Sequence, residues 1–437
     1  MLFTKWLKGI ANRVLSTRRR IGSSSRRSLA RGTSLAMRSS SFIVSPGGEV
    51  HSPEFGNVIE QLEDRSLLTY NVDITAGVLT ISQATGGDAS ILTVSTDGTT
   101  YTFADANGVN FNAASSGSGN AANVTNNTTN ITITEANVTS IIITLGDGND
   151  AVTVLSINDV LNLNGGTGTD MLTGSAGNNN FVVTGTNAGT MAYGTMLTFS
   201  DIDSISGGGG TDTVTGTSGG DAITINGNNA VTTANIAFTA ISTLDGAGAN
   251  DTVTATSGSD NLTVTGSNAF SASSIGFINI ESVAGNGGID TVTGTAGNDT
   301  FTINAANNVT LESVAFTAIS TIDGAGGSDT LVGTAAGDTF NVSAADAGSA
   351  ASIGFMSFEN LDGVGGADVF NIANSTSISG TINGGDGNDT LDIDGSGTVA
   401  TFNGGNNTDT INVAGVASVV ATLTTAIAGS ITNITNP

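Results

Sequence analysis

Five phenylalanines, Phe199, Phe238, Phe277, Phe316 and Phe355, stand 39 residues apart, and a second landmark keeps the same step. Asp212, Asp251, Asp290, Asp329 and Asp368, each closing a glycine-rich stretch, are also 39 apart. Two residue types holding one period imply a solenoid, because a repeat of this size buries its apolar face only against its neighbours. Similar turns end at Asp150, Asp170, Asp389 and Asp409, with spacings of 20 or 21 at the two ends of the array. Inside each unit a second turn follows nine residues after the first, at Asp221, Asp260, Asp299 and Asp338, with Asn179 in the equivalent place of the first unit.

At all fourteen turns the residue two positions later is apolar, as in Val214 after Asp212, Phe301 after Asp299 and Leu391 after Asp389. With a side-chain period of two, each turn therefore delivers one side chain inward and points its flanking residues out. The stretch between turns, such as INGNNAVTTANIAFTAISTLD, carries a degenerate third turn at Asn229, matched at Asn268, Asn307 and Asp346. Two stackings follow. Two coils of about twenty residues per unit would set Asp212 on Asn229, whereas one wide coil of 39 residues would set it on Asp251. The end spacings favour two coils and make Asp368, Asp389 and Asp409, and Asp150 with Asp170, the best-stacked turns. The insert phenylalanines read as core.

GGDGNDTLD (384–392), GGTGTDMLT (165–173) and GGGGTDTVT (207–215) resemble the nonapeptide G-G-x-G-x-D-x-U-x of RTX, or hemolysin-type, calcium-binding repeats. Other copies depart from it. GNGGIDTVT lacks the second Gly and GAGANDTVT the fourth-position Gly, and the second turns read G-T-x-G-x-D, as in GTAGNDTFT. The resemblance implies a right-handed parallel β-solenoid, of β-roll or β-helix type, that binds Ca2+ between neighbouring turns. The metal ligands it implies are Asp150, Asp170, Asp212, Asp221, Asp251, Asp260, Asp290, Asp299, Asp329, Asp338, Asp368, Asp386, Asp389 and Asp409. The chemistry is coherent, since calcium takes six to eight oxygen ligands and stacked carboxylates repel unless a cation lies between them. Turns that use Asp only for its backbone geometry are the metal-free alternative.

Charge divides the chain. All eleven Lys and Arg lie between Lys5 and Arg65, and 32 of the 37 Asp and Glu follow them. The acidic body is expected to attract cations and excludes nucleic acid, which needs basic side chains against phosphate. Residues 1–65 read as a basic leader, 66–145 as N-terminal strands or capping coils, 146–412 as the repeat solenoid and 413–437 as a C-terminal cap. Leu62-Glu63-Asp64-Arg65 with Leu67-Leu68 resembles the LEPR-XLL segment of predicted bacterial envelope proteins, which implies export and an extracellular or cell-surface location. No stretch is long and apolar enough for a transmembrane helix.

There is no Cys, and His51, the only His, precedes the body. A β-elimination base of Lys or Arg is likewise missing from residues 66–437. Two carboxylates suffice for an inverting glycosidase, and Asp386, Asp389, Asp392 and Asp394 supply candidates, but each also fits the repeat or a solvent face. Thr rows beside the turns, such as Thr211, Thr213, Thr215 and Thr217, raise an ice-binding surface and equally suit ordinary strands. The reading favoured is a calcium-binding, non-enzymatic surface solenoid with surface glycans or envelope proteins as partners.

Overall fold

The computed structural model describes residues 69–415, apart from 85–88, 108–109, 114–123, 128–129 and 194. The basic leader, its LEPR-XLL-like segment and nearly all of the expected C-terminal cap lie outside the described residues. The body is built from strands of two facing sheets, with no α-helix among the described residues. It is an all-β solenoid.

Short strands such as Thr213–Thr215, Thr252–Thr254 and Thr291–Thr293 bury only their central Val and leave both Thr half-exposed or exposed. Alternation of this kind is the period-two signature of a sheet with one wet face. Thirteen of the fourteen apolar residues that follow the turns are buried, and Ile411, on the last described rung, is half-buried. Phe199, Phe238, Phe277, Phe316 and Phe355 are also buried. Phe270 stacks on Phe277 with ring centroids 4.7 Å apart, and its edge meets Phe316. Each such side chain contributes about 1.5–3 kcal/mol on burial, so the regular apolar positions hold the two sheets together.

The path of the 39-residue unit differs from both expected stackings. Thr213–Thr215 lies in the first sheet and pairs in parallel with Thr243–Asp245, thirty residues on. Between them the chain crosses to the second sheet. There Ala222–Gly227, Ala230–Thr233 and Ile236–Thr239 form an antiparallel meander. The next unit is its mirror in assignment. Thr252–Thr254 and Ser282–Ala284 lie in the second sheet, and the meander Asn261–Gly266, Ala269–Ala272, Ile275–Ile278 lies in the first. A unit thus crosses the sandwich an odd number of times, and like positions return to the same sheet only after two units.

The cause is local. The supposed third turns are hairpin turns within one sheet: Asn229, Asn268, Asn307 and Asp346 take φ of 54°, 51°, 59° and 50°, a region Asn and Asp tolerate. Turns where the chain passes from the first sheet to the second line one edge, called here the outgoing edge. Turns in the reverse direction line the return edge.

At the N-terminal end, strands of the segment 66–145 pair as hairpins. Thr69–Thr75 pairs antiparallel with Val78–Ala84, and Ile91–Thr96 with Thr100–Asp105. Their free sides pair in parallel with Ser140–Thr144 and Ala151–Val154, where the stacked rungs begin.

Candidate cation sites at the turn edges

Period two places each turn aspartate on the same inward side as the apolar residue two positions on, and Asp212, Asp251, Asp368 and Asp389 are 0 % exposed. The carboxylates then meet the turn of the neighbouring rung. On the outgoing edge the amide of Asp150 donates to Asp170 Oδ1 at 2.8 Å, that of Asp221 to Asp251 Oδ1 at 2.7 Å and that of Asp299 to Asp329 Oδ1 at 2.7 Å. On the return edge the amide of Asp260 donates to Asp290 Oδ1 at 2.9 Å and that of Asp338 to Asp368 Oδ1. The column continues through Asp389 and Asp409, with amide-to-carboxylate distances of 2.8 and 3.1 Å. The expected columns Asp150/Asp170 and Asp368/Asp389/Asp409 therefore stack.

Asp212 does not sit on Asn229 or Asp251. Its Oδ1 accepts the amide of Asn179 at 2.7 Å, and its sequence neighbour Asp221 belongs to the opposite edge. Asp386 is exposed and accepts a bond from Asn406 Nδ2, apart from the inward columns. Three acids outside the nonapeptides extend the columns: the amides of Asp170, Asp251 and Asp329 donate to Asp203 Oδ2, Glu281 Oε2 and Glu359 Oε2. These three were missed in the sequence. The 39-residue step through Asp203, Ser242, Glu281, Ser320 and Glu359 alternates acid with Ser, and that was the available signal.

The second carboxylate oxygen is the unusual feature. Oδ2 of Asp150, Asp170, Asp212, Asp251, Asp329, Asp368 and Asp389 is buried with no hydrogen-bond partner. In all of these but Asp150 it lies against the first Gly of its own turn, so a Cβ on Gly246 would stand 2.5 Å from Asp251 Oδ2, and one on Gly324 would stand 2.6 Å from Asp329 Oδ2. Glycine opens twelve of the fourteen turns, Leu145 and Ala255 opening those that end at Asp150 and Asp260, and where it does so a Cβ would crowd the carboxylate. The second-turn acids are better satisfied within their turns: Thr217 donates its amide to Asp221 Oδ2 at 2.7 Å, and Thr295 does the same for Asp299.

Asn179 reveals the polarity of the space between rungs. Its Nδ2 donates to Ser175 O, Gly177 O, Gly207 O and Asp212 Oδ1 at 2.7 to 3.2 Å. Four oxygens from two successive turns thus surround one nitrogen. The backbone repeats this arrangement elsewhere. Gly246 O lies over Gly216, and Gly324 O over Gly294, as Gly207 O lies over Gly174, at 3.0, 2.9 and 2.7 Å from a Cβ placed on the underlying glycine. In those turns Asp221 and Asp299 replace Asn179, and an acceptor stands where the amide donor was. Thr217 and Thr295 donate to these two carboxylates, but no side-chain amide stands between the rungs, and an oxygen cage of this kind favours a positive charge, either a cation or a proton.

Burial pushes the carboxyls of Asp150, Asp170, Asp251, Asp290, Asp329 and Asp389 above the usual range, against the pull of the amides they accept. Asp368 is pushed up to about 6 by burial; the Asp338 amide lowers it, and the charges of Asp389, Asp338 and Asp362 add to the rise. Among the described residues no three Asp, Glu, Cys or His side chains converge on one metal position. A cation between rungs would draw one or two carboxylates and take its remaining oxygens from turn carbonyls, a hard-oxygen set that suits calcium. No helix among the described residues is long and apolar enough to cross a membrane. No protein-family model and no curated protein matches the chain.

Proposed function

We propose that this chain is a calcium-stabilised β-solenoid of RTX type that serves as a structural or adhesive module outside the cell. The observation that carries this reading is the set of seven buried Oδ2 atoms without a donor, stacked in a body that has no basic residue. An unsatisfied buried polar group costs about 1–3 kcal/mol, more when charged. Seven of them rival the roughly 5–15 kcal/mol that holds a typical domain together. A divalent cation held by these carboxylates would offset that cost and screen the stacked charges. Asp221 with Asp251, Asp299 with Asp329, Asp260 with Asp290, Asp150 with Asp170, and the Asp338 to Asp409 column would hold it. Extracellular sites of this ligand class bind at about 10⁻⁴–10⁻³ M, a range that favours folding after export, which the LEPR-XLL-like segment also supports.

A metal-free solenoid is the second reading, favoured by the amide that each stacked carboxylate accepts. Circular dichroism and thermal melting of the full chain in EGTA and in millimolar calcium separate the two. The calcium reading expects a higher Tm and more strand signal with calcium; identical melts in both buffers would leave the metal-free solenoid.

A further inference from the structure

The sixteen Asp and Glu between residues 200 and 360 are unevenly shared: only Asp212, Asp260, Asp290 and Asp338 lie on the return edge, and the other twelve lie along the outgoing edge. A strict 39-residue repeat cannot produce this, because consecutive units present the same position at opposite edges. The sequence alternates instead. Asp221, Asp245, Asp251 and Glu281 recur 78 residues later as Asp299, Asp323, Asp329 and Glu359, whereas the unit between them carries Asp260, Ala284, Asp290 and Ser320 at the same places. Both outgoing clusters are tied together identically, by Asp221 and Asp299 amides on the Asp carboxylates and by Asp251 and Asp329 amides on the Glu carboxylates.

The electrostatics differ accordingly. Asp251 feels the charges of Asp221, Glu281 and Asp245, and Asp329 those of Glu359, Asp299 and Asp323, while Asp290 feels only Asp260. A second, independent observation points the same way. Asp251 and Asp329, 0 % and 1 % exposed, each carry a buried Oδ2 without a hydrogen-bond partner, against Gly246 and Gly324 of their own turns, whereas Asp290, between them, is not among the described residues with such an atom.

We propose that the clusters Asp221/Asp245/Asp251/Glu281 and Asp299/Asp323/Asp329/Glu359 are the preferred divalent-cation sites of the repeat core, filling before the Asp260/Asp290 site that separates them. The inference rests on the calcium reading above and ranks its sites. Asp245, Glu281, Asp323 and Glu359 act as neighbouring charge rather than as extra ligands, since no three carboxylates converge on one position. Two additional charges within a Debye length attract a divalent ion enough for about a tenfold affinity difference, even with much solvent screening.

The test is calorimetric titration of the full chain with calcium chloride. Three double variants are compared with wild type: E281Q/E359Q, the half-exposed pair D245N/D323N, and D260N/D290N. Both outgoing-edge variants are expected to move two ions from the tighter to the weaker class, with about a tenfold loss, while D260N/D290N leaves the tighter class intact. Equal loss of tight ions in D260N/D290N, or unchanged isotherms in both outgoing-edge variants, overturns the ranking with calcium binding still standing. If E281Q/E359Q fails to fold by circular dichroism, D245N/D323N decides alone, because neither of its side chains accepts a column amide. Absence of binding heat in folded wild type at millimolar calcium removes the underlying reading and the ranking together.

Discussion

Asn179 performs with one neutral amide what a cation would have to perform in the other turns. Its Nδ2 faces four oxygens, among them Gly207 O at 2.8 Å and Asp212 Oδ1 at 2.9 Å. Asp299 occupies the equivalent position beneath Gly324 and Asp329. Asp299→Asn is therefore expected to raise stability in EGTA by about 1–2 kcal/mol, the worth of a buried hydrogen bond to a charged acceptor, while removing one bound calcium. The reverse change, Asn179→Asp, should lower stability in EGTA and recover it with calcium. Melts of both variants with and without calcium check this; equal shifts in both buffers would mean that the oxygen cage takes no cation. The opening glycines are tested separately. Gly246→Ala puts a Cβ 2.5 Å from Asp251 Oδ2, and overpacking of this kind costs about 1–3 kcal/mol, in both buffers alike.

At the scale of the unit, a run of strand, three-stranded meander and strand makes successive units alternate between edges. Deleting residues 246–323 rejoins like with like and preserves one complete four-carboxylate cluster at the junction. Deleting 246–284 instead brings Asp290 and Ser320 to the places of Asp251 and Glu281, so the cluster begun by Asp221 and Asp245 ends in Ser. Both deletions are expected to keep the strand signal by circular dichroism, but only the 78-residue deletion should retain the calcium-induced rise in Tm per remaining unit. A larger calcium response after the 39-residue deletion would contradict the alternation. This feature was the least legible in the sequence. The turns and their apolar followers were readable because each depends on a local period of two and on glycine. The partner of each turn was not, because it depends on whether Asn229 folds the insert back within one sheet or carries it across. A two-residue hairpin and a degenerate stacking turn have the same composition there. For the same reason Asp221 and Asp251, separated by a full meander, were not recognised as a pair, whereas Asp368, Asp389 and Asp409, with no meander between them, were.

For the whole molecule, the columns couple folding to protons and, on the proposed calcium reading, to metal with the opposite sign. Asp368, at about 6 in the folded state, and Asp150, Asp170, Asp251, Asp290, Asp329 and Asp389, also raised, bind protons more tightly folded than unfolded, where an Asp titrates near 3.9. Between those two pKa values the folded chain holds more protons, so stability falls as pH rises through the folded values and is fully present only below the unfolded one. In EGTA the Tm is therefore expected to climb as pH is lowered from 7 toward 4.5, the reverse of a protein whose carboxylates are held by Lys or Arg, and the body contains neither. Calcium needs the ionised carboxylates, so in millimolar calcium the same acidification should lower Tm or leave it flat, and the two curves should converge near the acid end. The convergence follows if calcium binds as proposed, because protonation and calcium then neutralise the same column carboxylates. Parallel curves at all pH values would show that the cation acts elsewhere on the acidic surface. An EGTA curve that falls on acidification would show that the buried carboxylates are already satisfied as anions by the amides they accept.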